Sequence, residues 1–229
     1  MHLPQEQWIA VYQKCGALWI HDGNPKRPHV LLTSDGKHSN GFFNSELVME
    51  NPLVLDWAAR DLTKLLAAHA TNATIGGVDR VVGPAMGAIT LAHDLARCIG
   101  EVNCRPCLRG YGEKAEERGR DDRETKKKMV LKRTALKKGE RILLCEDVLT
   151  SGASVNMVAE AVIAAGGEVL PYVAVLVNRS GLTEVSGKKI VALIDRHMPK
   201  WDPDECPLCK EGSEALRPKE TWARLTAAY

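Results

Sequence analysis

Apolar positions along the chain follow two periods in turn. Helical spacing marks "PQEQWIAVYQKCG", closed by Gly16, and "NPLVLDWAARDLTKLLAAH", with Pro52 early and Leu53, Trp57, Leu62, Leu65 and Leu66 assigned to one side. "DRVVGPAMG" reads as a short buried strand that leaves through a Gly-Pro turn into the helix "AITLAHDLARCIG". A second strand, "ERILLCED", leads through a loop into the helix "SVNMVAEAVIAAGG", and a third, "EVLPYVAVLVN", follows directly. Strands that are apolar throughout are covered on both faces, so this order predicts an α/β fold with a central, mainly parallel sheet flanked by helices.

Composition narrows the organisation. With 229 residues, 45% hydrophobic and 26% charged, the chain suits one large domain with appendages. A net charge of +2 is too mild to mark a nucleic-acid binder. No apolar run approaches the roughly 18 residues of a membrane span, and the N-terminus lacks the pattern of a signal peptide, so a soluble, cytoplasmic protein is expected.

Seven cysteines, an odd number, fit reduced thiols better than a disulfide framework. Two pairs have C-x-x-C spacing, Cys104 with Cys107 and Cys206 with Cys209. Together they could supply four thiolates to a zinc ion. The first pair, however, lies in a strand-like segment where alternate residues face opposite ways, and free structural thiols are the alternative.

In parallel sheets ligands bind beyond the carboxyl ends of the strands, which directs attention to the loops after "RVV" and "ILLC". Thr150, Ser151, Gly152, Ala153 and Ser154 form a turn of small residues before a helix, where exposed N–H groups favour a phosphate. Glu146 and Asp147 would repel that phosphate but suit sugar hydroxyls or a hydrated magnesium ion. A phosphorylated sugar satisfies both ends. The plainer reading is a strand end with two solvated acids and a helix cap.

"ILLCEDVLTSGAS" resembles the phosphoribosyl-pyrophosphate (PRPP) signature of type I phosphoribosyltransferases. Three further segments are similar to those of orotate phosphoribosyltransferases: "LLTSDGKHSNGFFNSELVMENP", "VVGPAMGAITLAHDLA" and "VLVNRSG". The likeness covers approximately residues 28 to 182. It implies the type I fold: a single domain over 1–200, with a small N-terminal base-binding hood at about 1–50 and a core at about 51–200, then an extended C-terminal tail at 201–229.

By position, the resemblance implies that Ala85, Met86 and Gly87, after Pro84, wrap pyrophosphate with their backbone. Glu146 and Asp147 would take the ribose hydroxyls, and Thr150 with the 151–154 loop the 5-phosphate. Phe42, Phe43, Thr150 and Arg179 would meet orotate. Lys114, with Arg118 in reserve, would be the cation of a mobile loop that reaches a neighbouring subunit's site, which implies a homodimer. Magnesium would arrive with PRPP, with no direct protein ligand.

The implied reaction moves a phosphoribosyl group from PRPP to orotate, giving orotidine 5'-monophosphate and pyrophosphate in UMP biosynthesis. Other nucleobases as acceptors, or a non-catalytic PRPP sensor that binds nucleic acid, are the competing readings. The chain departs from many relatives in carrying no lysine in "GPAMGAI", in having Thr33 where some carry lysine, and in the long charged run "RGYGEKAEERGRDDRETKKKMVLKR". That run is too polar to bury itself and is expected to stay flexible until substrate arrives.

Overall fold

The computed structural model describes residues 2–33, 35–69, 75–118 and 125–227. Five strands form the parallel heart of a seven-stranded sheet: β5 (Arg80–Pro84), β6 (Leu108–Arg118), β8 (Arg141–Leu149), β9 (Glu168–Asn178) and β11 (Lys188–Asp195). Short β10 (Glu184–Val185) and β7 (Thr125–Val130) close the two edges in antiparallel pairing, giving the order β10, β11, β9, β8, β5, β6, β7.

The period of two along β8 explains its continuous apolar run. Leu143 and Cys145 enter one core cluster with helices α1 (Gln5–Lys14), α3 (Pro52–His69) and α4 (Ala88–Asn103). Ile142 and Leu144 enter the other, beneath α5 (Ala153–Ala164), with Val155, Val158 and Val162. Both faces are thus covered, as the sequence pattern requires. No described helix is long and apolar enough to cross a membrane.

Helix α3 turns a different face inward from the one its sequence indicated. Leu55, Ala58, Ala59, Leu62 and Leu66 are buried, while Leu53 is 69% and Trp57 55% exposed. Positions 53 and 62 lie about two and a half turns apart, on opposite sides of a helix with 3.6 residues per turn, so they cannot share one stripe.

The charged run also differs from expectation. Its arms form a β-hairpin, β6 and β7, in which Lys114 pairs with Met129 and Glu116 with Lys127. Opposite charges across the ladder and the buried Met129 at its base favour the strands despite the polar composition. The tip, with Arg120 and Arg123, and the side chains of Arg118 and Lys126 lie outside the described residues.

The hood is not built from the N-terminus alone. Besides the ribbon of β1 (Leu18–Ile20) and β4 (Gly41–Phe43), it has a four-stranded sheet in the order β12, β3, β2, β13. In that sheet β2 (His29–Leu31) and β3 (His38–Ser39) lie between two strands from the far end of the chain, β12 (Lys200–Trp201) and β13 (Ala215–Leu216). The segment read as an extended tail therefore carries strands and helices: α6 (Pro207–Lys210) and α7 (Pro218–Leu225) flank β13. Its turns at Pro203, Pro207 and Pro218 deliver short elements into the hood.

Candidate active site

A cleft of about 940 Å³ opens between the carboxyl ends of β5, β8 and β9 and the hood, within the size range of small-molecule sites. Ala85, Met86, Gly87, Lys114, Glu146, Asp147, Thr150, Ser151, Ala153, Ser154, Phe42, Phe43 and Arg179 all line it. The structure thus gathers almost every residue singled out from the sequence.

Of the residues expected at this cleft, Gly152 does not line it, and the side chain of Arg118 lies outside the described residues. Gly152 is buried behind the loop at φ +78°, and a Cβ there would lie 2.3 Å from Val185 Cγ2, so its place is set by the turn. Gly152 gives α5 no side-chain cap; the Ala153 N–H reaches Ser151 Oγ at 3.5 Å, and the N–H groups that follow it at the helix start suit an anion in the cleft.

The loop after β5 presents backbone. Met86 is 83% exposed, and the Ala85–Met86 peptide is cis. At Gly87 an added Cβ would come within 2.8 Å of both Asp147 carboxylate oxygens. Bare backbone at Gly87 therefore lets the Asp147 carboxylate, near the end of β8, lie against this loop. Glu146 beside it is buried, and burial first, then repulsion from Asp147, raises its pKa well above the usual carboxylate range, with Lys114 acting the other way.

Cations absent from the loop after β5 come from other elements. Lys114, Lys127 and Lys128 reach the cleft from the hairpin, and Lys219 from α7. Lys219 went unnoticed in the sequence because no local motif surrounds it; only the return of the tail to the hood brings it near.

The two phenylalanines both border the cleft but differ in role. Phe43 is buried, packing edge-on against Tyr12 with ring centroids 5.4 Å apart, and belongs to the core. Phe42 is only partly buried and pairs with Trp222 of α7 at 5.9 Å.

Arg179, which follows β9, is 2% exposed. Its Nη2 donates to Ser39 Oγ at 2.6 Å, whereas Nε and Nη1 have no partner among the described residues. Burial lowers its pKa to about 10, partly opposed by the charge of Asp35, so the guanidinium remains charged at neutral pH. Buried polar groups in folded proteins are ordinarily hydrogen-bonded, so a buried cation with two unsatisfied donor atoms in a cleft wall calls for a partner.

The cysteine pairs do not join. Cys104 sits exposed at the end of α4 with its Sγ on Glu101 O, and Cys107 packs partly buried against the main core. Cys206 and Cys209 instead meet His29 and His38 in the hood. The four-thiolate grouping gives way because strand pairing carries the two halves of the chain to different places.

A small-residue turn before a helix, an acidic strand end and a glycine-bearing loop meet at the carboxyl end of the parallel sheet, and residues 56–204 match the family described as phosphoribosyl transferase domain. Relatives extend the match to most of the chain. An orotate phosphoribosyltransferase of Heliobacterium modesticaldum is 36% identical over 217 residues, covering 94% of this chain and 98% of the relative. One of Pelotomaculum thermopropionicum is 33% identical over 217 residues, covering 94% and 97%. The chain belongs to the orotate phosphoribosyltransferase family. Its fold is shared by the solved orotate phosphoribosyltransferase of Aeropyrum pernix, with TM-score 0.54 and 23% identity over 81% of this chain and 92% of that one. An adenine phosphoribosyltransferase of Thermoanaerobacter pseudethanolicus has TM-score 0.51 and 17% identity, over 74% and 95% of the two chains.

Proposed function

We propose that this chain transfers the phosphoribosyl group of PRPP to orotate, forming orotidine 5'-monophosphate and pyrophosphate for pyrimidine biosynthesis. The observation that carries the choice of base is Arg179, whose two donor atoms unpartnered among the described residues, in a buried part of the cleft wall, suit the carboxylate that orotate has and adenine, hypoxanthine and uracil lack.

In this reading the turn from Thr150 to Ser154 holds the 5-phosphate, and Glu146 and Asp147 the ribose hydroxyls. The backbone of Ala85, Met86 and Gly87 holds the diphosphate. The bond from the anomeric carbon to the diphosphate breaks with its electron pair leaving on the diphosphate oxygen, and positive charge spreads over the ribose ring. A ring nitrogen of orotate, its N–H proton released to solvent, bonds to that carbon from the opposite face. Lys114 stabilises charge on the departing diphosphate, and Phe42 and Thr150 flank the base.

The acids also fit a hydrated magnesium ion carried by PRPP, since two adjacent carboxylates at the strand end, one raising the pKa of the other, favour a cation between them and the diphosphate. When bound, magnesium neutralises part of the diphosphate's charge. Two copies of the chain form the working unit in this reading, with Leu53 and Trp57, exposed one turn apart on α3, available for the contact. The seven free cysteines support a reducing compartment, the cytoplasm. A nucleic-acid ligand has less support, because the hairpin interleaves acids with its lysines.

The test is the magnesium-dependent loss of orotate absorbance with PRPP, run beside adenine, hypoxanthine and uracil. Turnover of orotate alone is expected; transfer to another base in preference would overturn the assignment.

A further inference from the structure

His29, His38, Cys206 and Cys209 come from opposite ends of the chain, yet their four ligand atoms all lie within 4.8 Å of one another. His29 Nε2 is 3.0 Å from His38 Nδ1 and 3.5 Å from each of Cys206 Sγ and Cys209 Sγ; Cys209 Sγ is 3.2 Å from His38 Nδ1. Bonds of about 2.3 Å to sulfur and about 2.0–2.1 Å to nitrogen at tetrahedral angles place zinc ligands roughly 3.3–3.8 Å from each other. The observed spacings are close to those edges. All four residues are buried or half-buried.

The protons on the cluster point the same way. Ser213 Oγ donates its hydroxyl proton to Arg27 O at 2.6 Å, so toward His29 Nδ1, 2.8 Å away, it acts as acceptor. Nδ1 therefore carries the imidazole proton and Nε2 turns a bare lone pair toward two thiols and a second imidazole. A hydroxyl that fixes the ring of a histidine from its far side is the arrangement found around metal-bound histidines. A donor set of two sulfurs and two nitrogens selects zinc over the hard cations that carboxylates prefer.

We propose that these four residues bind a structural zinc ion that staples the C-terminal segment to the hood. Four protein ligands leave no open position, so the metal takes no part in the transfer chemistry. Its effect is on architecture. The two cysteines bracket the start of α6, and the histidines stand on the paired strands β2 and β3. Downstream of the staple, β13 joins β2, and α7 sets Trp222 against Phe42 and Lys219 at the cleft. Hydrophobic burial in the hood is slight, with Trp19, Val30, Leu32 and Leu225 forming its buried cluster among the described residues, and a structural metal is one of the staples that stabilise small units of this kind.

The experiment is elemental analysis of the tag-free full chain, together with cobalt(II) substitution read by absorbance. One zinc per chain is expected, and cobalt should give the sulfur-to-metal charge-transfer and tetrahedral ligand-field bands. Cys209→Ser and His38→Ala should each lose the metal and those bands, while Cys104→Ser keeps both. Should those two variants fail to fold, the intact chain is titrated with a mercurial in the presence of a chromogenic chelator. Zinc release that tracks modification of two thiols supports the site, and release without it counts against the site. A metal-free protein that gives no tetrahedral cobalt spectrum would overturn the proposal. So would metal retained in Cys209→Ser, or a Cys206–Cys209 disulfide found by mass in the protein as isolated.

Discussion

Arg179 donates from Nη2 to Ser39 Oγ across 2.6 Å, and that bond sets the plane of a guanidinium whose remaining edge is unpartnered. Charge-assisted hydrogen bonds contribute about 1.5–3 kcal/mol each, so Arg179→Ala is expected to lower kcat/KM for orotate by about a hundredfold or more. The PRPP dissociation constant should stay nearly unchanged. Steady-state kinetics beside calorimetry separate the two, and equal losses in both would remove Arg179 from the base.

Glu146 links pH to stability. Its folded pKa is raised by burial and by Asp147, so the proton favours the folded state. That stabilisation is full below the unfolded value of about 4.3 and is lost as pH rises through the folded value. Glu146→Gln should therefore melt higher than the parent protein at pH 8 without ligand, the gap narrowing toward pH 5, while binding PRPP more weakly. A gap independent of pH would show that the carboxyl is already ionised in the folded chain.

Gly87 has helical φ −54° and ψ −43°, so alanine suits its backbone and the substitution isolates one contact. The added methyl meets Asp147 at 2.8 Å, which real carbon–oxygen pairs do not tolerate. Gly87→Ala should keep the melting temperature within a few degrees and weaken PRPP binding about tenfold, as expected when one charge-assisted contact is displaced. Unchanged affinity would mean that the position of Asp147 against this loop is immaterial.

Lys114 stands exposed on β6 where the hairpin borders the cleft. If its charge acts on the leaving diphosphate, Lys114→Ala should reduce kcat by about 10²–10³-fold, the scale of losing one donor to a transition-state anion. KM for PRPP should change little. A rise in KM with kcat retained would instead make Lys114 a binding contact.

Signals carried by neighbouring residues were legible in the sequence. The run from Ile142 to Ser154 contains its own strand, acids, turn and helix start, so its chemistry needs no partner segment to be read. The pattern of α3 was misread because Leu53 and Trp57 are apolar yet face outward, and periodicity reports a stripe only if every apolar residue is buried. The hairpin was missed for the converse reason: it is polar, and its strands exist through cross-strand pairing such as Glu116 with Lys127, which composition does not show.

The sequence by itself determined that the sheet is mainly parallel, three of its strands (β5, β8 and β9) with the helices after the first two, and the small-residue turn and acid pair at the cleft, because hydrophobic period and turn chemistry act over a few residues. Strands β6 and β11 emerge only in the fold. Tertiary structure alone decided what lies opposite. It brought Ser39 to Arg179 across 140 positions and His29 to Cys206 across 177. It also gave the hood two strands and Lys219 from the far end of the chain. Such pairings depend on where strands from distant segments dock, and that is set by the burial of whole faces, not by any local spacing of residue types.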